Sequence, residues 1–162
     1  MSDAIRPGKI DGVWLKQVRL LTDDRGLLGE LFRADDPYTS RFTSCAQTTL
    51  TMSYPGVIKA FHWHRRQDDL WFCVTGMIQA VMYDLREDSP TCGLTEQYSI
   101  GQHNPLALLI PAGVAHGYRV LGPSAAWVVY HTTEVYNPAD PDEERIAHDD
   151  PQIGFDWTTR PR

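Results

Sequence analysis

The strongest constraint on the fold is a period of two in side-chain character that recurs along the chain. Ala46, Thr48, Leu50, Met52 and Tyr54 alternate with Gln47, Thr49, Thr51 and Ser53. Only an extended strand sends successive side chains to opposite faces. The same rule sets Ile58, Ala60, His62 and His64 against Lys59, Phe61 and Trp63, and Ala80, Met82 and Asp84 against Val81, Tyr83 and Leu85. Further β-rich runs cover 106–110, 116–121 and 127–133. Turn signals separate them: Asp23-Asp24-Arg25-Gly26, Tyr54-Pro55-Gly56, Thr75-Gly76, Pro111-Ala112-Gly113 and Gly122-Pro123-Ser124. The pattern predicts about ten short strands, spaced as in a sandwich or closed barrel. Helical signal is confined to one turn over 38–42 and another over 142–147, where acidic residues after Pro141 suit a helix N-terminus. The expected class is all-β with short peripheral helical turns.

With 162 residues, 42% of them apolar, the chain fits one domain spanning 1–162 with a real core. The net charge of −6 is opposite to what tracking a phosphate backbone requires, so nucleic acid is excluded as a partner. A few placed arginines can still hold an anionic small molecule. The longest apolar run, Ala125 to Tyr130, is far short of the roughly 18 residues of a membrane helix. No signal-peptide pattern opens the sequence, and Cys45, Cys73 and Cys92 form no paired framework. A cytoplasmic location is expected, with no membrane partner.

Three of the six histidines fall in a countable pattern. Gly56, His62, His64, Asp69 and Gly76 read G-x5-H-x-H-x4-D-x6-G, and Pro111, Gly113 and His116 read P-x-G-x-x-H. The pair resembles the two signature motifs of the cupin superfamily, which implies a jelly-roll β-barrel. Asp69 stands where that superfamily usually has Glu, and Val120 where Asn is common. His62 and His64, two apart on a strand, point to one side; Asp69 opens the next strand and His116 comes from a later one. Three imidazoles and a carboxylate suit one divalent transition metal, Fe, Mn, Ni, Cu or Zn; without it the same residues are polar interior groups and no cofactor is called for.

A closer resemblance covers Asp23 to Trp157. Asp23-Asp24-Arg25-Gly26 with Glu30-Leu31-Phe32, Val57 to His62, Tyr83-Asp84-Leu85-Arg86 with Ser89-Pro90-Thr91, Ile110 to Tyr118, Val129 to Thr133 with Tyr136, and Asp149-Asp150-Pro151 with Phe155-Asp156-Trp157 follow in order. Together these blocks resemble the dTDP-4-dehydrorhamnose 3,5-epimerases. The resemblance implies a homodimer acting on a nucleotide sugar, a dTDP-4-keto-6-deoxyhexose, by proton transfer next to the ketone. It implies His62 as base, Tyr130 as acid, and Arg25, Glu30, Gln47, Lys59, His116 and Tyr136 as substrate-binding positions. The chemistry is coherent, because the ketone acidifies the adjacent C–H and an imidazole near its ordinary pKa exchanges protons at neutral pH.

Departures fall on functional positions. Lys59 replaces the family's phosphate-forking arginine, His64 a glutamine, and Leu27-Leu28 an aromatic beside the Arg-Gly turn. Asp69 falls where the family has a lysine that stabilises the enolate oxygen; a bare carboxylate there opposes the developing charge, and a divalent cation would reverse the sign. The family's aspartate paired with the catalytic histidine would lie beyond Arg162. Three readings stand: a sugar-nucleotide epimerase, a metal-dependent cupin enzyme (oxygenase, isomerase or lyase) on another small polar substrate, or a non-catalytic sugar-nucleotide-binding barrel.

Overall fold

A computed structural model describes residues 4–37 and 45–158. The regular elements among them are strands. Strands β1 (Ile5–Pro7), β2 (Trp14–Gln17), β10 (Leu106–Ile110), β7 (Asp69–Thr75), β12 (Ala126–Thr132) and β5 (Gln47–Ser53) form a six-stranded sheet in that order. Strands β13 (Glu144–Arg145), β6 (Ile58–Trp63), β11 (Val114–Leu121), β8 (Met77–Asp84) and β9 (Thr95–Gly101) form a five-stranded one. A hairpin of β3 (Leu20–Asp23) and β4 (Gly26–Gly29) stands apart. All the pairings are antiparallel.

Leu15, Trp71, Ile78, Met82, Ile100, Leu108, Val120 and Val128 fill the space between the two sheets. Each sheet is covered again on its outer face. Leu70, Phe72, Ala107 and Leu109 pack outside the first, beneath Leu31 and Phe32. Phe61, Val81, Tyr83, Ala115, Ile153 and Trp157 pack outside the second. Central strands β7 and β10 therefore read as nearly continuous apolar runs, while edge strand β5 alternates partly buried and exposed positions up to the buried Ser53. This is the expected two-sheet jelly roll.

Two expectations fail. Residues 142–147 form no helix: the amide of Phe61 donates to Ile146 O at 2.8 Å and the amide of Ile146 to Phe61 O at 2.9 Å, so the segment adds to the edge of β6 as β13. Ile146 also packs with the outer aromatic cluster, a tertiary contact that outweighs local helix signals. The second failure is strand phase. A one-residue register shift in the β6–β11 pairing, beside the cis Ala60–Phe61 peptide, breaks the alternation. Ile58, Ala60, Phe61 and Trp63 all pack outward, and Lys59 joins His62 on the inner side. The helical turn expected over 38–42 lies outside the described residues.

Candidate active site

The shift is permitted by Gly117 on β11. A Cβ there would stand 2.3 Å from Ala60 Cβ and 2.7 Å from Lys59 O, so only glycine lets β6 approach this closely. His62 consequently sits opposite His116 in register, with ring centroids 4.2 Å apart. His64 follows two residues on, and β7 begins at Asp69 after the turn through Arg65 and Arg66. One ligand atom from each of His62, His64, Asp69 and His116 lies within 4.8 Å of the others. The sequence spacing thus brings all four together, His62 partly buried and the others buried.

Backbone carbonyls fix two of these rings. His116 Nδ1–H donates to Val114 O at 2.8 Å, and His64 Nδ1–H donates to Asp142 O. Both Nε2 atoms turn toward Asp69, at 3.4 Å from His116 and 3.9 Å from His64. The Asp69 carboxylate accepts from Gln67 Nε2 at 2.7 Å and Trp71 Nε1 at 3.0 Å. Gln67 Nε2 also lies 3.2 Å from His64 Nε2. His116 Nε2 is buried without a hydrogen bond. Burial pushes the Asp69 carboxyl up, but the imidazoles facing it, His116 foremost, outweigh burial and hold the group well below the usual carboxylate range. Burial, reinforced by His116, holds His62 well below an ordinary histidine, so its imidazole is neutral at pH 7.

Two adjoining cavities, of about 540 and 690 Å³, meet at His62, Asp69, Tyr130 and Glu143. The first adds Lys59, Trp71, Tyr118 and Arg145; the second adds Gln47, Thr49, His64, Arg66 and Tyr136. Burial raises the Tyr130 phenol above its usual value, only partly offset by Thr49, so it keeps its proton at neutral pH. Lys59 Nζ donates to Thr51 Oγ1 at 3.0 Å across the first lobe. In the second, Gln47 Oε1 accepts the Tyr136 amide at 2.9 Å.

Three expected substrate positions are elsewhere: His116 is buried and lines neither lobe. Arg25 is clamped to Asp23 on the exposed β3–β4 turn, and Glu30 pairs with Arg33 at 3.2 Å; neither lines a lobe. The Asp84-Leu85-Arg86 block is structural and more than a surface pair: buried Asp84 accepts from Arg86 Nε at 2.7 Å, Ser89 Oγ at 2.6 Å and Thr91 Oγ1 at 2.7 Å.

Sequence reasoning missed Trp71, Asp142, Glu143 and Arg145. Trp71 was legible, two residues past Asp69 on one strand face, and it stacks on His62 at 6.0 Å. Asp142 had no local signal. Its carboxylate accepts the amides of Arg65, Arg66 and Gln67 at 3.0, 2.9 and 3.1 Å, binding the turn between β6 and β7 from some 75 residues away.

Known proteins match this chain in sequence and in fold. Residues 7–162 match the family model of dTDP-4-dehydrorhamnose 3,5-epimerase. The chain is 55% identical to the spore coat polysaccharide biosynthesis protein SpsL of Bacillus subtilis, over 93% of this chain and 97% of that one. It is 37% identical to the probable low-salt glycan biosynthesis epimerase Agl13 of Haloferax volcanii, over 91% and 94%. Among solved structures, NovW, a 4-keto-6-deoxy sugar epimerase from the novobiocin gene cluster of Streptomyces spheroides, superposes with a TM-score of 0.88 at 27% identity, covering 98% of this chain and 81% of that one. An epimerase from Legionella pneumophila in complex with dTDP-4-keto-L-rhamnose superposes with a TM-score of 0.83 at 29% identity, covering 95% and 82%. The chain belongs to the dTDP-4-dehydrorhamnose 3,5-epimerase family, a family of isomerases.

Proposed function

We propose that this protein epimerises a dTDP-4-keto-6-deoxyhexose at the carbons flanking the ketone. One observation carries the reading: an imidazole, His62, and a phenol, Tyr130, stand together at the junction of the two lobes, a base and an acid of the kind that proton transfer needs. His62 takes the proton from the carbon next to the ketone, and the C–H electron pair moves onto the ketone oxygen as an enolate. Tyr130 returns a proton to the opposite face of that carbon as the enolate collapses. Solvent then resets the imidazolium and the phenolate. Gln47 and Tyr136 are the nucleotide-side contacts, and Lys59 is a phosphate-side cation. His116 backs the His62 ring from the barrel wall. Solvent deuterium appearing at C3 or C5 of the keto sugar tests the reaction; a dTDP-4-keto-6-deoxyhexose that exchanges nothing overturns it.

The family reaction calls for no metal, yet the donor set of this chain fits one. His116 Nε2 is a buried orphan facing the Asp69 carboxylate, and a proton or a cation between them resolves that contact. This favours a second reading, a metal-dependent enzyme with His62, His64, Asp69 and His116 as ligands. A divalent transition metal there supplies Lewis acidity toward a developing enolate and cancels the Asp69 charge. His62 then serves as ligand and not as free base. Metal analysis of protein purified without tag or chelator separates the readings.

We also propose one catalytic domain over 1–162, working as a cytoplasmic homodimer. Arg25 and Glu30 sit on or beside a hairpin whose Leu21, Leu27 and Leu28 are 50%, 66% and 60% exposed, which suits a surface that seats against a second copy and delivers these residues to its site. No helix among the described residues is long and apolar enough to cross a membrane.

A further inference from the structure

The first lobe carries a second cation that no motif marks. Arg145 is the direct register partner of His62 across the β13–β6 pairing. Residues opposed in an antiparallel ladder project to the same face, so Arg145 joins His62 and Lys59 on the cavity side. All three line the 540 Å³ lobe. The Arg145 side chain is 83% exposed, so it stands at the mouth of the lobe and not beside the reacting carbons.

The guanidinium is already oriented. Glu143 Oε1 accepts from Arg145 Nε at 2.8 Å and lies 2.8 Å from Nη2. A guanidinium has five N–H donors, and this clamp occupies the Nε–Nη2 edge. The Nη1–Nη2 edge keeps the parallel pair of donors that matches two phosphate oxygens. Lys59, the other cation of the lobe, is a point charge without that fork. A diphosphate brings at least two negative charges, and one lysine does not balance them.

We propose that Arg145 is a substrate-binding residue that forks onto the diphosphate of the nucleotide sugar, supplying the bidentate contact that Lys59 cannot make, with Glu143 as the positioning carboxylate that aims it. The inference rests on the nucleotide-sugar reading above. It assigns the first lobe to the diphosphate and leaves the proton transfers to His62 and Tyr130.

The test measures binding of dTDP, TMP and thymidine by calorimetry, alongside exchange kinetics on the dTDP-4-keto sugar. Because the side chain is mostly exposed and β13 is held by backbone bonds, Arg145→Ala is expected to fold; circular dichroism and the melting temperature verify this. The expected result is a loss of about tenfold or more in dTDP affinity, the size of a lost charge-assisted pair. Thymidine binding stays unchanged, KM rises and kcat holds. Arg145→Lys recovers only part of the loss, and Glu143→Gln weakens dTDP less than Arg145→Ala does. Unchanged dTDP affinity in Arg145→Ala overturns the inference while leaving the epimerase reading intact. A fall in kcat at constant KM also overturns it, by moving Arg145 to the reacting atoms. Wild-type protein that neither binds dTDP nor exchanges overturns the epimerase reading and this inference with it.

Discussion

His116 Nε2 faces Asp69 Oδ2 at 3.4 Å inside a closed wall of protein, while the ring's other nitrogen is committed to Val114 O. In the neutral ring, Nε2 is an acceptor, so an acceptor confronts a carboxylate. The two readings of the site resolve this contact differently, and Asp69→Asn separates them. The amide keeps the volume and one oxygen for Trp71 Nε1, and it removes the charge beside the enolate. The proton-transfer reading expects exchange into the keto sugar at the wild-type rate or faster, with stability lowered by about 1–3 kcal/mol for imperfect pairing. Loss of exchange together with loss of about one equivalent of bound transition metal establishes the metal-dependent reading instead.

Removal and return of the proton are separable in the variants. His62→Asn is expected to abolish both wash-in and inversion, with a fall of about 10²–10⁴ in rate, the usual worth of a positioned base. Tyr130→Phe removes the acid alone. His62 can still take a proton and give back deuterium on the same face, so wash-in persists while inverted product falls by a similar factor. Mass spectrometry and NMR of the recovered sugar read the two outcomes. Inversion undiminished in Tyr130→Phe removes Tyr130 from the mechanism.

Much of this site was legible because strand alternation and turn residues are local. Leu106–Ile110 was bounded correctly, and Asp69 was expected where β7 begins. The metal-type cluster followed from i, i+2 spacing plus one distant histidine. Lys59 was assigned to the wrong face, because a register shift depends on the partner strand and on Gly117, 58 positions away. The β13 strap read as a helix because its acidic residues suit a helix start, whereas its conformation is set by the unpaired edge of β6. Asp142, Glu143 and Arg145 were invisible for the same reason. A residue that works across the fold carries no periodicity of its own.

Asp84 predicts a stability effect separate from catalysis. Burial raises its carboxyl, but Arg86, Ser89 and Thr91 outweigh burial and hold it well below the usual carboxylate range. A carboxylate with a depressed folded pKa stabilises fully above its unfolded value, 3.8, and loses that contribution as pH falls toward the folded one. Asp84→Ala strands Arg86 and two hydroxyls and is expected to cost about 3–5 kcal/mol at pH 7. Asp84→Asn should lose less, and its stability should vary less than wild type below pH 4. Denaturant titrations at pH 7 and below 4 check both. Equal acid sensitivity in wild type and Asp84→Asn removes Asp84 as the cause.

The three thiols should sort by burial. Cys45 and Cys92 are exposed, while Cys73 is buried in β7 and its thiol is pushed up to about 11 by burial, only partly offset by the Thr75 backbone. The thiolate is the reactive form, so Cys73 is doubly protected at pH 8. Ellman's reagent is expected to modify two thiols in the native protein and the third only on denaturation. Three equivalent fast thiols would mean that the six-stranded sheet opens far more readily than its packing implies.

Gly117 makes the most local claim about how the fold builds the site. Its missing side chain sets the β6–β11 approach, and with it the phase that puts Lys59 beside His62. In Gly117→Ala the new methyl meets Ala60 Cβ at 2.3 Å, Ala60 Cα at 2.6 Å and Lys59 O at 2.7 Å. Backbone atoms cannot rotate away as a flexible side chain would, so β6 must shift outward. Overpacking of this kind costs about 1–3 kcal/mol, and a small displacement of His62 can cost on the order of 10²-fold in exchange rate. Trimming the opposing methyl should not rescue it, because Ala60 Cα and Lys59 O still collide. Gly117→Ala and the Gly117→Ala/Ala60→Gly pair are therefore expected to be comparably impaired in exchange. Full recovery in the double variant would show that the two methyls, and not the backbone, set the strand spacing.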